Sequence, residues 1–152
     1  MQKVLSYIQL AQDEGGKVLA GGQRIYPEGR CKDGWFIQPT IIEGLSHDCR
    51  TNQEEIFGPV GVVIKFKNEE DLLAMANDSI YGLAGGVFTK DINKAIRVAR
   101  GIRTGRVWVN TYNTFPAGTP FGGYKESGIG RETHKVILDH YTQMKNIIIN
   151  LA

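Results

Sequence analysis

Residues 83–110 read LAGGVFTKDINKAIRVARGIRTGRVWVN, and this stretch decides the fold class. Residues 83–89 are apolar and spaced with glycine, as in a buried strand. Asp91 stands at a helix N-cap, where its carboxylate can accept backbone N–H groups that a first turn leaves open. Ile92, Ala95, Ile96 and Ala99 recur at helical spacing and predict one buried face, with Gly101 as terminator. Residues 105–110 form a further strand. Strand, amphipathic helix and strand in that order predict a parallel α/β sheet with right-handed crossovers.

Working upstream, residues 60–66 predict a strand that runs into Asn68, a second N-cap. Glu69, Glu70 and Asp71 follow in the first turn, where carboxylates complement the positive end of the helix. Leu72, Leu73 and Ala76 supply its buried stripe. Further back, Val4, Leu5, Ile8 and Ala11 predict an amphipathic helix over residues 1–14, ended by Gly15 and Gly16. A strand over Lys17–Ala20 comes next. Residues 23–33 contain Pro27 and Gly29 and read as a loop. Residues 35–42 read as a strand in which Pro39 marks an edge or a bulge.

Downstream, residues 111–130 are dense in Gly, Pro, Thr and aromatics, with neither helical nor strand period. They leave the carboxyl end of a predicted parallel strand, where open α/β sheets bind ligands. Long loops without regular structure inside compact domains are usually functional. Residues 131–141 predict a helix, and residues 145–151 a final strand.

Composition removes several classes. The 152 residues carry 18 Lys plus Arg against 16 Asp plus Glu, too balanced for a nucleic-acid or anionic-membrane partner. Residues of apolar type make up 41% of the chain, which is a globular composition. A compact chain of this length would expose about 7,700 Å² and bury roughly 69% of its extended surface. The 19 glycines exceed the typical share of about 7% and predict tight turns and close backbone approaches. Two cysteines, Cys31 and Cys49, do not make a disulfide framework. No apolar run reaches membrane-spanning length, so a reducing, cytoplasmic setting is expected.

Familiar chemistry is mostly missing. No Walker-type phosphate loop occurs. Gly128 and Gly130 begin like a dinucleotide fingerprint, but Thr133 holds the third glycine position and no strand immediately precedes them. His47 and Cys49 lack a recurrent metal-ligand spacing, and His134 and His140 fall on different faces of a helix. No metal site is expected. Neither cysteine has a neighbour that marks it as a nucleophile.

The octapeptide Gln53-Glu54-Glu55-Ile56-Phe57-Gly58-Pro59-Val60 remains. It can be a solvated charge pair at a chain connection. It can equally present a carboxylate to ligand hydroxyls beside a ring that packs on a flat heterocycle. Taken alone, it leaves both readings open.

Taken with later segments, it resembles a hallmark string of the aldehyde dehydrogenase superfamily. Pro120-Phe121-Gly122-Gly123-Tyr124-Lys125-Glu126-Ser127-Gly128-Ile129-Gly130-Arg131-Glu132 resembles another. Ile80-Tyr81-Gly82-Leu83-Ala84-Gly85-Gly86-Val87-Phe88-Thr89 and Gly105-Arg106-Val107-Trp108-Val109-Asn110 are similar to further family segments, in the same order. The resemblance covers essentially the whole chain, yet only the C-terminal part of the family's proteins.

The resemblance implies a fold and a function. The fold is the parallel-sheet, Rossmann-like C-terminal portion of an aldehyde dehydrogenase catalytic domain over residues 1–141, with an oligomerisation strand over residues 142–152. The cofactor domain is expected upstream of Met1. The activity is oxidation of an aldehyde to a carboxylic acid with NAD or NADP, in a homo-oligomer. Glu55 is expected to bind the nicotinamide ribose, and Phe57 to pack near the nicotinamide ring. Asn113, Phe115 and Phe121 are expected to line the substrate tunnel. The family nucleophile is a Cys after Gly-Gln-x. Cys31 and Cys49 do not match that motif, so the chain alone is expected to be inactive. The family's general-base string has only a decoy here, Glu14-Gly15-Gly16-Lys17, and Glu14 reads as a helix-end residue. A stand-alone, non-catalytic assembly domain is the alternative, and a flavodoxin-like binding module is a third.

Overall fold

The computed structural model describes residues 1–151 and divides into two units, Met1–Lys67 and the chain from Asn68 onward. In the first unit, helix α1 (Gln2–Asp13) buries Val4, Ile8 and Ala11, three of the four residues in the predicted stripe. Glu14 is its C-cap, as read from the sequence. Strand β1 (Lys17–Ala20) follows, then the short strands β2 (Arg24–Ile25) and β3 (Phe36–Ile37), which pair antiparallel. Strand β4 (Thr40–Glu43), the single-turn helix α2 (Arg50–Gln53) and strand β5 (Val60–Val63) complete the unit.

The main sheet here has the order β1-β4-β5. β1 runs antiparallel to β4, and β5 runs parallel to it with Ile42 opposite Val62. Ala11, Ile42 and Leu45 form its core, with Val18, Cys49, Val60 and Val62 packed against them.

In the second unit, α3 (Glu69–Asn77) starts at Asn68, whose side chain accepts from the Asp71 backbone N–H at 2.8 Å. Strands β6 (Tyr81–Gly82) and β7 (Ala84–Val87) lead to α4 (Ile92–Gly101). Asp91 caps α4 by accepting from the backbone N–H groups of Asn93 and Lys94 at 2.9 and 3.1 Å. Strand β8 (Arg106–Val109) lies parallel to β7 in the register Ala84↔Arg106 to Val87↔Val109. The strand–helix–strand expectation holds in this stretch. Strand β9 (Tyr124–Lys125) pairs antiparallel with β6, and a 3-10 turn over Lys135–Ile137 leads into a one-turn helix, α5 (Leu138–Tyr141).

Several expectations need correction. The sheet is not a single parallel one: the strands fall into four small sheets of mixed direction. Residues 35–42 are not one strand, because β3 and β4 flank Pro39, which has no N–H to continue a ladder, and have different partners. The predicted loop over residues 23–33 contains β2, and the strand predicted to residue 66 stops at Val63. Residues 111–130 are not without structure, since they contain β9 and a bridge from Phe121 to Glu132. That bridge holds Glu132 in extended pairing, and Thr133 takes φ 59°. Together they break the helix expected over residues 131–141. Residues 145–151 form no strand, because a strand needs a partner ladder and none of the described residues offers one.

The expected core is smaller than predicted. The chain exposes 11426 Å², whereas even two separately compact units of these sizes would expose only about 9,200 Å². On α4, Ala95 and Val98 are buried while Ile92 and Ile96 face solvent. Half of the predicted apolar face is therefore uncovered.

Gly105, at the entry to β8, marks a point where two backbones nearly touch. A Cβ there would sit 1.5 Å from the Gly122 carbonyl oxygen, so no rotamer change relieves the clash. Gly105→Ala is expected to cost about 2 kcal/mol or more, read as a lower urea midpoint at unchanged slope.

Candidate functional site

The segment between α2 and β5 is tied from behind and open in front. At its start, the Glu14 carboxylate accepts from the backbone N–H groups of Arg50 and Thr51 at 3.0 and 3.2 Å, and from the Thr51 hydroxyl at 2.6 Å. Those are N–H groups that the first turn of α2 cannot satisfy internally. Glu14 is thus a cap for α2 as well as the end of α1. Its bonds with Thr51 come first among the causes that hold its carboxyl below the usual range.

Glu54, just after α2, receives Arg50 Nε and Nη2 at 2.7 and 3.1 Å and also the Tyr7 hydroxyl. The guanidinium bonds, then the phenol bond, hold its carboxyl down at about 2. The same bond to Glu54 raises Tyr7, which stays a donor. The Lys3 ammonium donates to the Glu55 backbone carbonyl at 2.7 Å.

The two predicted cofactor residues are brought together by this arrangement. Glu55 is exposed, and its carboxylate has no partner among the described residues. Two residues on, Phe57 is 83% exposed and its backbone is left-handed, φ 58°. A bulky residue in that region costs on the order of 1–3 kcal/mol and persists only where its surroundings dictate it. Gly58 supplies part of that constraint. A Cβ there would lie 2.5 Å from a Val4 methyl, so the chain passes flush against α1. The Pro59 carbonyl accepts from Thr40 N–H at 2.8 Å, which fixes the exit into β5.

In the second unit, the loop after β8 carries the predicted tunnel residues. Phe115 and Phe121 meet edge-to-face at 5.4 Å, and Phe115 meets Trp108 at 5.6 Å. Trp108 is buried and donates Nε1–H to the Thr114 carbonyl at 2.9 Å. Asn113 is exposed in a left-handed turn, φ 56°. The structure therefore joins Phe115 to Phe121, with Asn113 exposed in the same loop.

Arg106 organises this wall, a role that its sequence position did not reveal. Its guanidinium lies 4.7 Å from the Phe115 ring centre and 5.1 Å from that of Phe121, within cation–π range. Nη2 donates to the Thr119 and Pro120 carbonyls at 3.2 and 2.9 Å. Lys3, Tyr7 and Arg50 were likewise missed in the first unit. Lys3 and Tyr7, four apart and bordering the apolar stripe of α1, were the available signal.

Both cysteines are free thiols. Burial pushes the Cys49 thiol up, and the nearby Glu14 carboxylate adds to the effect, the reverse of what an attacking thiolate requires. Among the described residues, no group of three His, Cys, Asp or Glu could hold a metal ion, and no helix is long and apolar enough to cross a membrane.

The scaffold thus presents an exposed carboxylate, Glu55, and two residues on an exposed aromatic ring, Phe57, on a left-handed backbone. Comparison with known proteins identifies the family. The aldehyde dehydrogenase family model matches residues 1–147. The chain is 53% identical over 149 residues to an acetaldehyde dehydrogenase of Pseudomonas aeruginosa, covering 98% of this chain and 29% of that protein. It is 51% identical to a fluoroacetaldehyde dehydrogenase of Streptantibioticus cattleyicolor, over 100% of this chain and 30% of that one. An aldehyde dehydrogenase of Bacillus cereus solved with NAD+ superposes with TM-score 0.90 at 43% identity, over 99% of this chain and 30% of that one. A betaine aldehyde dehydrogenase of Staphylococcus aureus, also with NAD+, gives TM-score 0.86 at 47% identity, over 92% and 28%. The chain belongs to the aldehyde dehydrogenase family, and it spans about 30% of the length of these relatives.

The Glu54 pairing has a pH signature. A carboxyl held below its ordinary 4.5 stabilises the fold above that pH and loses its contribution as pH falls through about 2. Carbon-detected NMR of Glu54 is expected to give a midpoint near 2, and Arg50→Met to move it upward.

Proposed function

We propose that a complete enzyme carrying this segment oxidises an aldehyde to a carboxylic acid with NAD+ or NADP+. In this reading the chain supplies the nicotinamide-ribose clamp, Glu55 and Phe57, and the substrate-tunnel wall, Asn113, Phe115 and Phe121. The observation that carries it is the unpartnered Glu55 carboxylate beside the outward Phe57 ring, on a segment tied from behind.

These residues suit the group they would hold. An ionised carboxylate only accepts, so it selects hydroxyl donors such as those of a ribose, and Phe57 offers an open ring face to a flat heterocycle. A bound nicotinamide dinucleotide supplies the hydride acceptor. Glu55 fixes where the ribose sits, and Phe57 limits how the attached ring can tilt. Arg106 keeps Phe115 and Phe121 in place as a wall against which an aldehyde chain excludes water. The nucleophile is assigned elsewhere in the complete enzyme, because neither Cys31 nor Cys49 follows the family's Gly-Gln-x motif. Alone, the chain is read as inactive. NAD+ bound in the Bacillus cereus and Staphylococcus aureus relatives favours NAD+ as the dinucleotide.

Glu55→Gln tests the clamp. It keeps size and polarity but weakens bonds that are about twice as strong when the acceptor is charged. A reacting carbon displaced by about 1 Å can lose on the order of a hundredfold in rate. Single-turnover hydride transfer at saturating cofactor is therefore expected to slow by tenfold or more. A rate equal to the parent's removes Glu55 from this role.

The tail supports a reading as a homo-oligomer contact, which the assembly-domain alternative shares. Ile147, Ile148, Ile149 and Leu151 are between 72% and 93% exposed in a segment of high β-propensity, and an exposed apolar segment of that kind is a template for pairing with another chain. Deleting residues 145–152 is expected to lower the mass seen by light scattering at tens of micromolar, where standard-size interfaces are populated. An unchanged oligomer places the contact elsewhere.

A further inference from the structure

Along one side of α1, Lys3, Tyr7 and the C-cap Glu14 all reach the stretch running from α2 to β5, which includes Glu55 and Phe57. Glu14 caps α2 through Arg50 and Thr51, Tyr7 donates to Glu54, and Lys3 donates to the Glu55 carbonyl. Val4 lies against Gly58. From Glu14 to Lys3 these anchors span 11 residues of α1, about 16 Å of helix, and the segment runs back along them. The Lys3 ammonium also lies 5.6 Å from the Tyr7 ring centre, so the two anchors nearest Glu55 brace one another.

We propose that Lys3 and Tyr7 are positioning residues of the dehydrogenase reaction, setting through Glu54 and the Glu55 carbonyl the register in which Glu55 and Phe57 meet the nicotinamide ribose and ring. The inference rests on the clamp reading above and adds to it the element that aims the clamp. The physical ground is leverage. Glu55 has no side-chain anchor of its own, so its carboxylate position follows its backbone, and Lys3 holds that backbone directly. Tyr7 and Arg50 share the neighbouring Glu54, which fixes the peptide plane one residue earlier. The left-handed Phe57 backbone shows that its surroundings dictate the conformation, and Val4 against Gly58 is the α1 contribution.

Positioning and mere structural support differ in what they move. Ligand affinity tolerates small shifts of one contact, whereas hydride transfer depends steeply on where the reacting carbon stands. The test is made in the complete enzyme carrying this segment, with Tyr7→Phe, Lys3→Met and Lys3→Arg compared to the parent and to Glu55→Gln. The measurements are single-turnover hydride transfer at saturating aldehyde and NAD+, the NAD+ dissociation constant, and the thermal midpoint. Tyr7→Phe and Lys3→Met are each expected to slow hydride transfer by about tenfold, with NAD+ affinity and thermal midpoint unchanged. Lys3→Arg restores a donor to the Glu55 carbonyl and is expected to recover most of the rate. If Glu55→Gln slows transfer while Tyr7→Phe and Lys3→Met match the parent, the positioning role falls and the clamp stands. If Glu55→Gln also matches the parent, both fall. A loss of rate that tracks loss of thermal stability and of NAD+ affinity, without recovery in Lys3→Arg, reduces α1 to structural support and overturns the proposal.

Discussion

Ala11 and Ile42 are sealed from solvent, yet only nine hydrophobic side chains are buried among the described residues. That scarcity of apolar burial governs both units. Several loops in both units are fixed by charged side chains reaching to backbone carbonyls. Lys3 holds the Glu55 carbonyl, Lys125 Nζ holds those of Asn77 and Ser79, and Arg131 holds that of Gly123. Such bonds are directional.

The clamp segment shows what this arrangement allows. Glu54 is fully engaged by Arg50 and Tyr7, and Glu55, its neighbour, is free. Two adjacent carboxylates thus stand differently, one bonded within the fold and one open to solvent. The strain at Phe57 fits the same division, since a residue in a costly conformation needs neighbours that do not yield. In the second unit, Arg106 plays a similar part for a different surface. Its charge faces two aromatic rings while Nη2 ties the loop that carries them, so one side chain sets both the wall and its support.

Uncovered apolar residues are the complement of that scarcity. Ile92 and Ile96 on α4, and the isoleucines of the tail, are side chains of the type that cores are made from. Family membership and a span of about 30% of its relatives give that exposure a context: relatives of this kind have further chain with which to cover such faces.

Much of the architecture was legible in order along the chain. Asp91 and Asn68 announced two helices because capping is a local matter, settled within three residues, and α1, α4, β7 and β8 followed from periodicity for the same reason. The strings around Glu55 and Phe121 identified the family, and with it the residues to inspect. Partnership was not legible. That Pro39 would split one apparent strand between two sheets, that Phe121 would pair with Glu132 and dissolve a predicted helix, and that residues 145–151 would find no ladder all depend on which distant segment supplies the hydrogen bonds. Local sequence does not encode that choice. The same holds for the candidate site: sequence alone determined that Glu55 and Phe57 stand two residues apart, whereas only the tertiary structure decided that Lys3, Tyr7 and Glu14 bond to the stretch from Thr51 to Glu55, because contacts across 37 to 52 residues of chain exist only once the fold has brought α1 alongside.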